Sequence, residues 1–420
     1  MDKFVIHGGR KLKGTQSVEG AKNAALPIIV GALLTDGGET VLHNIPPLRD
    51  IHTISAVLRH IGAKVDFDRE ARTMTIDARQ LVNNSAPYEL MNQMRASFLV
   101  LGPILQRMRE AMISLPGGCS LGPRPVNYHI QGFKSLGAEV SEEKGYIIAK
   151  AKRLKGGTIY FDRPSHTGTE NLMYGAVMAE GTTRIINAAC DPEVVDLARY
   201  LSRAGAKITG AGTPEMIIEG VNRLEPIEYT VMGDRLEAGT LLMAGMVTGG
   251  DLEILGTETT HLELVLEKLR EAGAEVRSTA QGIALRAPKR ILPVSAVTFP
   301  YPGFPTDLQA CLMAVTATAD GISRIRETIF EDRFTHVMEL RRLGADISVA
   351  ANEATINGVR ELSGTSVMAS DIRAGAGLVI AGLAASGTTD VSRVYHVDRG
   401  YYRLEEKLSA LGADIERTAA

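Results

Sequence analysis

LRRLGADI, residues 340–347, compresses a helix end, a glycine turn and a strand start into eight residues, and the chain holds six versions of it. The others are LRHIGAKV (58–65), FKSLGAEV (133–140), LSRAGAKI (201–208), LREAGAEV (269–276) and LSALGADI (408–415). Their glycines, Gly62, Gly137, Gly205, Gly273, Gly344 and Gly412, are spaced 75, 68, 68, 71 and 68 residues apart. Each fits the position just past a helix, where positive φ is needed, and a β-branched residue close behind opens a strand. A second phrase of apolar helix, small-residue turn and strand accompanies these, as in GAVMAEGTTRIINA, AGMVTGGDLEILG and AGLAASGTTDVSRV. Self-similarity at a fixed period marks a repeat architecture.

Each unit therefore reads as two helices and about four strands in the order βαβαββ, which makes the class α/β in the mixed, α+β sense. Six such units exceed one hydrophobic core, so the spacing predicts three plus three. The expected domains are 22–230, and 1–21 with 231–420. The crossing falls near Tyr229 to Gly233, and the first strand, from Lys3 to Gly8, would pair with the last unit.

Composition narrows the function. The formal net charge is −3 with no basic tail, aromatic residues make up 5% and tryptophan is absent, so nucleic-acid binding has neither charge nor stacking surface behind it. No apolar run approaches the length of a membrane span, and nothing before Phe4 looks like a signal segment, so the expectation is a cytoplasmic protein without a membrane partner. Three scattered cysteines, Cys119, Cys190 and Cys311, fit neither a disulfide framework nor a zinc cluster. Cys311 lies in the apolar run LQACLMAV and Cys190 at a loop-to-helix junction, and both read as structural. Cys119 differs. It sits in SLPGGCSLGPRP, residues 114–125, where glycine and proline forbid regular structure and Arg124 supplies a positive charge that favours a thiolate.

The starts of the first helices carry the remaining signal. They contain Lys22-Asn23, Arg95, Ser165-His166, Asp234-Arg235, Thr306-Asp307 and Asp371-Ile372-Arg373. Acids and hydroxyls there are ordinary caps. A cation there opposes the helix dipole, so Lys22, Arg95, Arg235 and Arg373 suggest something negative from outside the chain. The second helices add Arg49, Arg124, Asp191, Arg333 and Arg399. If Lys22, Arg95, Arg124, Arg333, Arg373 and Arg399 converge in a cleft between the domains, they form a site for phosphates and carboxylates. The alternative is that each arginine pairs with the acid beside it, as Asp332 with Arg333 or Asp398 with Arg399.

With those residues in view, SVEGAKNAA (17–25), LPGGC (115–119), PTDLQ (305–309), FEDRF (330–334) and VDRGY (397–401) resemble the UDP-N-acetylglucosamine enolpyruvyl transferases of bacterial peptidoglycan synthesis. The likeness runs from Met1 to about Arg417. The related 5-enolpyruvylshikimate-3-phosphate synthases, which lack the cysteine loop, fit less well. The resemblance implies two inside-out domains of three βαβαββ units, with the active site in the cleft between them. It also implies transfer of the enolpyruvyl group of phosphoenolpyruvate to the 3-hydroxyl of UDP-N-acetylglucosamine, with release of phosphate and no cofactor or metal.

Carried over by position, the resemblance makes Asp307 the base for the sugar hydroxyl. Cys119 becomes the acid for the vinyl carbon and the residue alkylated by fosfomycin. Lys22, Arg124 and Arg399 would bind the phosphate, and Arg333 and Arg373 the carboxylate side. Asn23, Arg95, Arg124, Pro125, Val126, Asn127, Ser165 and Ile329 would line the UDP-sugar, and Asp371 joins the substrate-binding set. Three positions depart from the family pattern. Ser165-His166-Thr167-Gly168-Thr169 replaces Ser-Val-Gly-Ala-Thr, Asn127 replaces an aspartate, and Asp191 replaces a glutamate. All lie on the nucleotide-sugar side, which keeps two alternatives open: a different acceptor such as a uridine nucleotide, or a non-catalytic sugar-nucleotide sensor.

Overall fold

The computed structural model describes residues 2–91, 94–115 and 126–419. All six turn glycines take positive φ, between 85° and 114°. A Cβ at Gly137, Gly205 or Gly344 would meet nothing within 4 Å, so conformation rather than space demands glycine there.

The described residues form thirteen helices and six four-stranded mixed sheets. Each sheet has one parallel pair and two antiparallel pairs. Thr158–Tyr160, for example, runs parallel to Thr182–Ile186, which runs antiparallel to Glu215–Glu219. Strands such as Glu215–Glu219 alternate exposed and buried, as a sheet with one wet face requires.

Contacts divide the chain into two compact units, residues 2–19 with 233–419, and 20–115 with 126–232. In the first, Asp2–His7 lies between Thr388–Ser392 and Asp414–Ala419, antiparallel to both. Lys13–Ser17 pairs in parallel with Asp251–Leu255. In the other unit, Glu228–Thr230 closes on Glu39–His43.

Each unit buries three helices: Arg235–Val247, Gln309–Thr316 and Ile372–Ala384 in one, Lys22–Gly31, Leu101–Met108 and His166–Ala176 in the other. They are buried along most of their length, and four of the six are apolar on nearly every side, while Leu101–Met108 and His166–Ala176 also bury polar side chains such as Gln106, Glu170 and Asn171. Small residues set their spacing. A Cβ on Gly377 would come within 2.8 Å of the Ala310 carbonyl oxygen. The charged helix starts of each unit are thereby placed by its core. Among the described residues no helix is long and apolar enough to cross a membrane.

One buried charge cluster braces the first unit. Lys407 Nζ lies 2.5 Å from Glu237 and 3.2 Å from Glu19, and Glu237 accepts the Glu19 backbone N–H at 2.7 Å. Burial pushes the Glu237 carboxyl up to about 7, with Lys407 opposing and Asp234 adding to the rise. A raised folded-state value means that the proton is held more tightly folded than unfolded. The stability from protonation is therefore complete below about pH 4.5 and disappears as pH climbs through about 7. Lys407→Met is expected to cost roughly 3–5 kcal/mol at pH 8 and clearly less at pH 5. Denaturant unfolding at both pH values checks this, and an equal loss at the two would refute it.

Candidate active site

Among the candidates, Cys119, Arg124, Pro125 and the side chain of Arg95 lie outside the described residues. The rest are described unit by unit.

In the first unit, Asp307 lies in the tight turn Thr306–Leu308 that leads into the buried helix Gln309–Thr316. Two arginines occupy its carboxylate. Arg333 Nη2 lies 2.8 Å from Oδ1, while Arg373 Nε and Nη2 donate to Oδ2 at 3.2 and 3.1 Å. The arginine side chains are 6% and 7% exposed and that of Asp307 is 27% exposed, so Asp307 is the member of the cluster that solvent reaches most. Burial works against its charge, but Arg373 and Arg333 outweigh it and hold the carboxyl far below the usual carboxylate range.

Arg373 is itself fixed. Its backbone N–H donates to Asp371 Oδ1 at 2.9 Å, so Asp371 caps the helix Ile372–Ala384. Its Nη1 donates to Tyr401 Oη at 2.9 Å, and that hydroxyl lies 2.8 Å from Thr240 Oγ1. Arg333 Nη1 donates to Thr306 Oγ1 at 2.9 Å. Ile329 is half-buried, its N–H donating to Glu327 Oε1 at 2.7 Å. Arg399, also half-buried, ends the short turn Val397–Arg399. Cys311 is fully buried and its thiol is pushed up to about 11 by burial, which leaves it a packing residue.

In the second unit, Lys22 is the first residue of its helix and lies 3.2 Å from Asp50 Oδ2, both side chains being buried. Asn23 beside it is half-buried, as is Val126, and Asn127 is exposed at the start of the helix Asn127–Ser135. Ser165 caps the helix His166–Ala176 by accepting the Gly168 N–H at 3.2 Å. His166 Nε2 lies 3.1 Å from Glu170, and Nδ1 lies 3.6 Å from Asp191, the residue that precedes the helix Pro192–Arg203. Burial opposes the charge of this imidazole, yet Glu170 and Asp191 prevail and hold its pKa well above the ordinary value. All three departures from the family pattern lie in this unit, and two of them form one ion pair.

Two expectations need correcting. The cations at Lys22 and Arg373 are answered from inside the chain, by Asp50 and Asp307, and not only by something external. Pairing with the adjacent acid also fails as a description. Asp332 is exposed while Arg333 turns inward to Asp307, and Asp398 is taken by Arg417 at 2.6 Å. Nor do Arg333 and Arg399 open helices. They sit in turns ahead of Val337–Arg342 and Leu404–Ala410, where a side chain can bend back toward the preceding segment. Arg49 does open a helix but is exposed.

The residues that sequence reasoning passed over are Asp50 and Glu327, and both carried a signal. Asp50 falls on the same helical stripe as Ile54, Val57 and Ile61, which are buried. Glu327 continues the inward parity of Ser323 and Ile325 beyond the strand Ile322–Arg326. An acid at an apolar-parity position must be satisfied internally.

Against known proteins, residues 6–408 match the family model described as EPSP synthase (3-phosphoshikimate 1-carboxyvinyltransferase). The chain belongs to this family. Among its relatives, the UDP-N-acetylglucosamine 1-carboxyvinyltransferase of Desulfosudis oleivorans is 51% identical over 99% of both chains. That of Myxococcus xanthus is 50% identical over the full length of each. Among solved structures, the enolpyruvyl transferase NikO from Streptomyces tendae superposes with a TM-score of 0.89 at 25% identity, covering 100% of this chain and 99% of its own. The mixed α/β fold is thus that of an enolpyruvyl transferase, and the chain is a 1-carboxyvinyl transferase by family.

Proposed function

We propose that the chain transfers the enolpyruvyl group of phosphoenolpyruvate to the 3-hydroxyl of UDP-N-acetylglucosamine, the first committed step of peptidoglycan synthesis. The observation that carries this is the identity of about half, over the full length, with relatives of that name. In this reading the sugar hydroxyl attacks C2 of phosphoenolpyruvate and gives its proton to Asp307, while Cys119 delivers a proton to the C3 methylene. The product of addition is a tetrahedral species that still bears phosphate. Loss of a C3 proton and departure of inorganic phosphate restore the vinyl group. Lys22, Arg124 and Arg399 hold the phosphate, and Arg333 and Arg373 hold the carboxylate, since fixed cations aimed at the reacting anion need no reorganisation during the step. Asn23, Arg95, Pro125, Val126, Asn127, Ser165, Ile329 and Asp371 orient the acceptor. In this reading the enzyme works in the cytoplasm.

A second reading keeps the chemistry and exchanges the acceptor for a nucleotide such as UMP. It is favoured by one feature, the His166, Glu170 and Asp191 cluster beside Ser165. Phosphate release from phosphoenolpyruvate with UDP-N-acetylglucosamine or UMP, under identical conditions, separates the two. We expect turnover with the nucleotide sugar and only background with UMP, and the reverse order would replace the first reading with the second.

A further inference from the structure

Glu327 is 2% exposed, yet its carboxylate meets four donors. Oε1 accepts the Thr298 hydroxyl at 2.8 Å and the backbone N–H groups of Ile329 and Phe330 at 2.7 and 3.1 Å. Oε2 accepts the Thr306 hydroxyl at 2.8 Å. The backbone of Glu327 is pinned as well, its N–H donating to the Asn352 carbonyl at 2.8 Å while Asn352 Nδ2 donates to the Glu327 carbonyl at 3.1 Å. The carboxylate is therefore a rigid acceptor.

A threonine hydroxyl has one hydrogen and two lone pairs. Because the Thr306 hydrogen is committed to Glu327, the oxygen offers a lone pair in a set direction, and Arg333 Nη1 donates to it at 2.9 Å. The other arm of that guanidinium lies 2.8 Å from Asp307 Oδ1. We infer that Glu327 is a positioning residue which, through the Thr306 hydroxyl, fixes the Arg333 guanidinium against Asp307 in the orientation that receives the donor substrate. The same carboxylate holds the Ile329 backbone, so one buried acid sets two members of the proposed site. This inference rests on the reading of Arg333 as a donor-binding residue.

The test is steady-state kinetics on Thr306→Val, Thr306→Ser and Glu327→Gln, with each substrate varied in turn and unfolding temperatures measured alongside. Removing the acceptor in Thr306→Val is expected to raise KM for phosphoenolpyruvate about tenfold, the scale of one hydrogen bond to a charged group. KM for the acceptor should stay within about twofold. Thr306→Ser, which keeps the hydroxyl, restores the wild-type value. Glu327→Gln moves KM in the same direction as Thr306→Val, because its amide N–H cannot accept the Thr306 hydrogen. The double variant Glu327→Gln/Thr306→Val is no worse than the weaker single, as for two links of one relay. Wild-type KM in Thr306→Val, or both KM values rising together with a lowered unfolding temperature, overturns the inference. A wild-type chain that releases no phosphate with any acceptor sinks the functional reading instead. Calorimetric binding of phosphoenolpyruvate to the same proteins then decides the relay alone: tenfold weaker in Thr306→Val but not Thr306→Ser supports it, and equal affinities overturn it.

Discussion

Asp307→Asn is expected to lower kcat by roughly 10²- to 10⁴-fold, the range for loss of a general base. The two arginines set the state of that base. A carboxylate held far below its usual range is a poor base, because proton transfer is favoured when the catalytic pKa lies near the working pH. With both Asp307 oxygens occupied by Arg333 and Arg373, the carboxylate acts in the free enzyme as an internal counter-anion. On the proposed function, a substrate anion that engages those guanidiniums would loosen their hold on Asp307 and raise its pKa, which would prepare it to take the hydroxyl proton. The sign is measurable. The profile of kcat/KM reports the free enzyme and that of kcat reports the bound complex, so the acid limb of kcat should lie at higher pH than any acid limb of kcat/KM. Superimposed limbs would mean that the arginines stay on Asp307 throughout, and a merely twofold loss in Asp307→Asn would remove the residue from the mechanism.

Arg373→Lys should cost about 10²- to 10³-fold in kcat/KM for phosphoenolpyruvate, comparable to removal of a preorganised charge-stabilising donor. The substitution keeps the charge. It loses the fork, in which Nε and Nη2 serve Asp307 while Nη1 serves Tyr401. A single ammonium cannot span these partners in the same plane. Tyr401 and Thr240 would then hold a hydroxyl pair with one donor fewer, and unfolding should show a loss of roughly 1.5–3 kcal/mol, as for a buried hydrogen bond to a charged group. Steady-state kinetics and denaturant unfolding on the same preparation test both halves. Wild-type kinetics in Arg373→Lys would show that charge alone suffices there.

Much of the site was legible residue by residue. Asp307 and Arg333 were each marked by a motif, Arg373 by being a cation at a helix start, and Ser165 and Asp371 by their places as caps. What those side chains do to one another was not legible. Asp307 lies 66 positions from Arg373, and nothing local indicates that the starts of two helices in successive units meet. The same holds for Asp398, whose neighbour Arg399 was the obvious partner and whose actual partner is Arg417.

The amino-acid order by itself determined the unit: six glycine turns, each terminating a helix and launching a strand, because φ at a turn is a property of the few residues around it. Which acid answers which cation is a matter of packing. A guanidinium takes whichever carboxylate the packed core brings within hydrogen-bond reach, and in this chain close-packed helices such as Gln309–Thr316 and Ile372–Ala384, held apart by no more than Gly377, bring Asp307 to Arg373.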